Sequence, residues 1–154
     1  MIFVTVGTNP LGHDDLIETV DKIQSSLSEQ IVMQIGYGRY EPAHGEFFRF
    51  APSLQPFYKK SDIVISSGGV GTLFELLYLN KKTIGVSNLD MPNKHQDEIL
   101  EKLSSEGFVF WCKNLKDLAK FITMASSVEL RQYKAEPCNI HSTIIRYLND
   151  QITK

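Results

Sequence analysis

Apolar residues along this chain keep two rhythms in turn. Short unbroken runs read as buried strands, and stretches in which apolar residues return every three or four positions read as amphipathic helices. The first run, Ile2-Phe3-Val4-Thr5-Val6, ends at Gly7. Leu16, Val20, Ile23 and Leu27 then recur at helical spacing, with Asp14 and Asp15 in the first turn, where the helix dipole favours acids. Ile31-Val32-Met33-Gln34-Ile35 predicts a second strand, closed by Gly36 and Gly38. Phe47-Phe48-Arg49-Phe50 predicts a third, and Leu54, Phe57 and Tyr58 a short helix before Asp62. Ile63-Val64-Ile65-Ser66 predicts a fourth strand, broken by Ser67-Gly68-Gly69-Val70-Gly71-Thr72, and Leu73 to Leu79 an apolar helix. Thr83-Ile84-Gly85-Val86-Ser87 predicts a fifth strand, followed by a loop with Pro92 and a helix from Lys94 to Ser104. Phe108-Val109-Phe110-Trp111 predicts a sixth strand. Leu115, Leu118, Ala119 and Ile122 mark a further helix, and Ile140, Ile144, Ile145 and Leu148 a closing amphipathic one.

Strands alternating with helices imply right-handed βαβ crossovers, and hence an α/β fold: a Rossmann-like, doubly wound parallel sheet covered on both faces. The 154 residues suit one domain, 1–154, with hydrophobic residues at 42% and charged residues at 22%, enough for an ordinary core. Lys and Arg total 16 against 18 Asp and Glu, a net charge of −2, which removes the electrostatic pull that nucleic-acid binding needs. No apolar run is long enough to span a bilayer, and Met1 to Gly7 lacks a signal peptide's basic leader. Cys112 and Cys138 form no metal-type pair, so free thiols in a reducing compartment are expected. An enzyme needing two full domains around a cleft is not expected to be complete in this length.

In an open parallel sheet, ligands bind beyond the carboxyl ends of the strands. Glycines and hydroxyls collect at those ends: Gly7-Thr8-Asn9, Gly36-Tyr37-Gly38, Ser66 to Thr72, and Asn88 to Gln96. Each alone reads as a turn; their agreement on one edge points to a site. Ser66-Ser67-Gly68-Gly69-Val70-Gly71-Thr72 is the strongest segment. Its glycines let backbone N–H groups approach a ligand, and the following helix N-terminus favours an anion such as a diphosphate. It is neither G-x-x-x-x-G-K-[ST] nor G-x-G-x-x-G, which disfavours an ATPase or a dinucleotide enzyme. Thr72-x-x-Glu75 matches a capping box; Glu75 can equally accept from a ribose diol. Asn93-x-x-Gln96 can cap the next helix, or His95, Gln96 and Asp97 can reach into a cleft toward sugar hydroxyls. His13, His44 and His141 read as surface or loop residues. With no Asp-x-Asp motif, no metal site is expected. Phe47, Phe48, Phe50, Phe57 and Tyr58 read as core and strand, with a partner surface as the other reading.

Taken in order, Val4-Thr5-Val6-Gly7-Thr8, Gln34-Ile35-Gly36-Tyr37-Gly38, Asp62 through Thr72 with Glu75, and His95-Gln96-Asp97-Glu98 resemble the C-terminal domain of family-28 glycosyltransferases. That domain is the UDP-sugar-binding half of a two-domain GT-B enzyme. Stand-alone look-alikes are the small catalytic subunits of bacterial capsule and exopolysaccharide transferases and the soluble subunit of the dolichol-linked N-acetylglucosamine transferase. The resemblance implies that Gly7 and Thr8 border the diphosphate or acceptor side, and that Ser66, Ser67, Gly68, Gly69, Gly71 and Thr72 cradle the diphosphate. It further implies that Glu75 binds the ribose and that His95, Gln96 and Asp97 reach the donor sugar. Relatives often carry His where this chain has Ser67, which leaves no proton-transfer group there.

The activity so implied is an inverting, metal-independent transfer of a hexose-type sugar from a UDP-sugar to a lipid-linked saccharide acceptor in polysaccharide synthesis. No cofactor is implied beyond that donor. A membrane-anchored partner subunit would supply the acceptor-binding half and hold the chain at the cytoplasmic membrane's inner face. A non-catalytic partner or regulatory subunit that retains the fold and UDP-binding surface is the alternative, and an unrelated nucleotide-binding domain a third.

Overall fold

A computed structural model describes residues 1–88, 95–135 and 137–152. Strands β1 (Ile2–Thr5), β2 (Ile31–Gln34), β3 (Glu46–Phe48), β4 (Ile63–Ser66), β5 (Lys82–Val86) and β6 (Phe110–Cys112) form one sheet. Its order is β3-β2-β1-β4-β5-β6, and every pairing is parallel. The doubly wound expectation therefore holds. The order reverses between β1 and β4, which makes their carboxyl ends the switch point at which such sheets bind ligands.

Alternation along β1 assigns the two faces. Ile2 and Val4 join Met33, Ile65 and Ile84 in a core closed by helices α1 (Asp14–Gln24) and α5 (Leu118–Ser127). Phe3 points the other way, onto Val32, Val64 and Leu76, covered by α2 (Gln55–Lys60) and α3 (Val70–Tyr78). Leu73 and Leu77 of α3 extend that face to Leu100 and Leu103 of α4 (His95–Ser105). The strands carry apolar side chains on both faces because helices cover both. Gly85 in β5 is a packing glycine: a Cβ there would stand 2.1 Å from Leu100 Cδ2.

Several local expectations change. The third strand begins earlier, at Glu46, and is only three residues long. The sixth is Phe110–Cys112, because Gly107 takes a left-handed φ of +79° and Phe108 and Val109 lead into the strand without pairing. Its successor helix opens with a 3₁₀ turn, Leu115–Asp117, capped by Asn114. His13 is buried, at the N-cap of α1, not on the surface. The aromatic cluster divides. Phe48, Phe57 and Tyr58 stack around Phe3, with Phe48 and Phe57 centroids 4.6 Å apart, while Phe47 and Phe50 stay exposed. Helix α6 (Ile140–Ile152) does not close the fold as its periodicity suggests: Ile140, Ile144, Ile145 and Leu148 are all exposed. Pro92, Asn93 and Lys94, expected to lead into α4, lie outside the described residues.

Candidate functional site

The cleft at the switch point begins with the end of β1. Gln34, buried at the end of β2, gathers that loop: its Oε1 accepts from Thr5 Oγ1 at 2.6 Å and from the Gly7 N–H at 3.0 Å. Its Nε2 donates to the Gly7 and Arg49 carbonyls, each at 2.9 Å. Gly7 sits at φ +69°, where glycine alone is unstrained. Gly7 thus lines the cleft with both of its backbone polar groups already engaged by Gln34, so its N–H is not free to donate there.

The β4–α3 loop makes the facing wall. The Ser67 N–H donates to the Thr5 carbonyl at 3.1 Å, and its hydroxyl to the Val6 carbonyl at 3.1 Å. The hydroxyl's one proton is therefore spent in tying this loop to the end of β1. Ser66 Oγ accepts from the Gly68 N–H at 3.3 Å. Gly68, at φ +77°, turns the chain against Leu100, whose Cδ1 would stand 3.1 Å from an added Cβ. Ser66 and Gly68 are buried and serve the turn itself.

Beyond the turn the backbone opens. Gly69 is the N-cap of α3, in an extended conformation and with no side-chain capping bond. The first turn of the helix, Val70-Gly71-Thr72, presents N–H groups that have no intrahelical acceptor. Added Cβ atoms at Gly69 and Gly71 would meet nothing closer than Thr72 Oγ1, 4.0 Å from the former. Intrachain packing does not demand glycine there; an anion approaching the helix end would. Because α3 starts at Val70, Thr72 is its third residue and Glu75 its sixth. The capping box between them does not form, and Glu75 is exposed at the cleft rim.

The cleft has a volume of about 500 Å³ and is lined by Gly7, Thr8, Asn9, Ser67, Gly69, Gly71, Thr72, Glu75 and Gln96, together with residues 51–55 and Tyr58. Of the α4 residues expected here, only Gln96 lines it. The His95 imidazole, exposed, stands 3.5 Å from Glu98, and Asp97 is not among the lining residues. Gln96 Oε1 is buried without a hydrogen-bond partner, as is the Tyr58 hydroxyl. Sequence reading placed Tyr58 in the core, where its ring does lie. The overlooked signal is its phenolic oxygen, which a core phenylalanine would not carry. Gln34 and the 51–55 wall were likewise missed. Among the described residues there is no group of three or more His, Cys, Asp or Glu able to hold a metal ion.

The profile of the glycosyltransferase family 28 C-terminal domain matches residues 1–147. The chain belongs to that family. The chain is similar to the human UDP-N-acetylglucosamine transferase subunit ALG13, 36% identical over 124 residues, which are 72% of this chain and 11% of that protein. The Debaryomyces hansenii protein of the same name is 30% identical over 88 residues, 57% of this chain and 42% of that one. The chain thus spans less than half the length of these relatives. In fold it is similar to Acinetobacter baumannii MurG, with TM-score 0.62, 18% identity, and 80% of this chain aligned to 41% of that one. An NMR structure of ALG13 aligns with TM-score 0.61 and 20% identity, over 87% of this chain and 89% of that one. The resemblance read from the loop motifs, and the GT-B kind of fold it implied, are shown.

Proposed function

We propose that this chain is the donor-binding, catalytic subunit of an inverting glycosyltransferase that moves a hexose-type sugar from a UDP-sugar to a lipid-linked acceptor. The observation that carries this reading is the uncapped start of α3, flanked by two ligand-free glycine faces, at the switch point of a family-28 domain. In it, the donor diphosphate sits on the Val70-Gly71-Thr72 N–H groups, with Thr8, Gly69 and Thr72 around it. Glu75 accepts from the ribose diol, and Gln96 turns its free Oε1 to a sugar hydroxyl. An acceptor hydroxyl, giving up its proton to a general base on the acceptor side, attacks the anomeric carbon from the opposite face; the C–O bond to the diphosphate breaks, and UDP leaves with the bonding electrons. Helix-end N–H groups stabilise the negative charge that gathers on the departing diphosphate, the task a divalent ion performs elsewhere. Transfer on this reading is unaffected by chelators.

Two observations support a second chain. The cleft is open to solvent along the exposed Gly71 and Glu75, and α6 holds its apolar face to solvent, although an isolated helix of this length is marginal in water. On this reading a membrane-anchored partner covers both, brings the acceptor, and keeps the subunit at the inner face of the cytoplasmic membrane. Among the described residues no helix is long and apolar enough to cross a membrane. Capsule or exopolysaccharide synthesis is the proposed setting where the chain is bacterial.

The experiment is titration of the purified chain with UDP, GDP, ATP and NAD by calorimetry, followed by transfer assays with the coexpressed partner. UDP binding alone among the four, weakened in Glu75→Ala, is expected, with that variant's melting temperature held because Glu75 caps nothing. Equal binding of all four, or none, refutes the donor reading. The engagement of the Ser67 hydroxyl with Val6 favours a second reading, a subunit that keeps the UDP surface without turnover. Full activity of the complex with Glu75→Ala would select it.

A further inference from the structure

The floor of the cleft carries a group that the scheme above leaves unused. Tyr58 is completely buried, its ring 5.8 Å from that of Phe3 in an edge-on contact and 63° from its plane. The ring belongs to the core shared by Val32, Val64 and Leu76, yet the residue also lines the cleft, as do the hydroxyl's neighbours Thr72 and Glu75. That oxygen has no partner in good hydrogen-bonding geometry, although the Thr72 and Glu75 side chains lie close enough to act on it. Its polar surroundings are Thr72 and Glu75, both on α3. Burial first, and then the charge of Glu75, push the phenol up to about 12, so it is a neutral donor near pH 7. An unpaired buried hydroxyl burdens the fold, and phenylalanine would fill the same space without it. Its presence is explained by a state in which it is paired.

Glu75 is the partner within reach. Its carboxylate is exposed and carried on a flexible side chain, so gripping a ligand diol means giving up rotamer freedom. A fixed donor beneath it reduces that loss by selecting one orientation beforehand. We propose that Tyr58 is a positioning residue: when a nucleotide fills the cleft, its hydroxyl donates to one oxygen of Glu75 and leaves the other to accept from the ligand's diol. No proton is transferred and no bond is made beyond hydrogen bonds. This inference rests on the donor-cleft reading and extends it to the residue that sets the geometry of the ribose contact.

The test is a comparison of two proteins and two ligands, the wild-type chain and Tyr58→Phe against UDP and 2′,3′-dideoxy-UDP, by calorimetry, with a thermal melt of each protein. Tyr58→Phe is expected to melt at the wild-type temperature or above, because it loses only an unpaired hydroxyl. Its UDP affinity falls roughly tenfold, as for loss of one hydrogen bond to a charged group. Both proteins bind the dideoxy ligand equally, and adding Tyr58→Phe to Glu75→Ala costs nothing further. Equal weakening toward both ligands, a lowered melting temperature, or unchanged UDP affinity overturns the inference and leaves the donor reading standing. Failure of the wild-type chain to bind UDP overturns both.

Discussion

Replacing Gly71 by alanine separates a glycine kept for a ligand from one kept for the fold. Gly71 is the second residue of α3, and its φ is not positive. A Cβ built on it meets no atom within 4 Å. Alanine therefore fits without strain and lowers the conformational freedom of the unfolded chain, a gain of about 0.5–1 kcal/mol. For a domain of this size that raises the melting temperature by about 1–4 °C. The added methyl, however, stands where a phosphate oxygen would approach the helix-end N–H groups. If the phosphate retreats, a charge-assisted bond of about 1.5–3 kcal/mol is lost, which is roughly a ten- to hundredfold weaker affinity. Differential scanning fluorimetry and UDP calorimetry on one preparation read both effects. Gly85→Ala is the contrasting variant: its Cβ, 2.1 Å from Leu100 Cδ2, forces the α4 core open at a cost of about 1–3 kcal/mol, and its melting temperature falls. A Gly71→Ala protein that melts lower, or that holds UDP as tightly as wild type, refutes the argument.

Two further outcomes test the framework around the cleft. Asp21, buried in α1, accepts from Tyr40 Oη at 2.7 Å and from the Ala43 and His44 N–H groups at 3.0 and 2.8 Å. Burial raises its pKa, but those three bonds and the nearby His44 together bring it below the usual carboxylate value. Its contribution is then complete above the unfolded value of about 4 and is lost as pH falls through the lower folded value. Asp21→Asn is expected to melt roughly 2–8 °C lower at pH 7, for about 1–2 kcal/mol lost. The gap from wild type closes as the solution is acidified below that range; a gap independent of pH in melts run across it contradicts the assignment. The two thiols separate by accessibility: Cys138 is exposed, whereas Cys112 is buried and pushed up to about 11, chiefly by burial. Iodoacetamide on the native protein is expected to modify Cys138 alone, with Cys112 reacting after denaturation. Mass spectrometry showing early Cys112 labelling would mean that β6 opens in the native state.

The sheet was legible because each buried strand is an unbroken apolar run and each helix keeps its stripe, so periodicity alone separates Ile63–Ser66 from the helix after it. The site was legible only as far as the backbone makes it. Gly69 and Gly71 mark the open helix end directly, since a residue with no side chain is informative when the chain has no packing reason for it. Where side chains make the site, spacing misled. Thr72 and Glu75 stand at capping distance in sequence, but the helix begins at Val70 and leaves them inside it. His95, Gln96 and Asp97 are neighbours in the chain, but successive residues on a helix point about 100° apart, so only one lines the cleft. Ser66, Ser67 and Gly68 resemble ligands by composition, yet their polar atoms go to Val6, Thr5 and one another, because a tight turn after a buried strand must satisfy its own backbone. Tyr58 had no motif to announce it, and Gln34 stood in one only as the residue before its glycines. Each acts through a polar end carried into an apolar setting, and in such a setting the tertiary fold decides whether that end is paired. That is also why the two oxygens left unpaired here, on Tyr58 and Gln96, say more about the cleft's occupant than the glycines do. A glycine shows only that something comes near, whereas the buried Gln96 acceptor states what its surface must offer in return, and the buried Tyr58 donor states how Glu75 must stand to meet it.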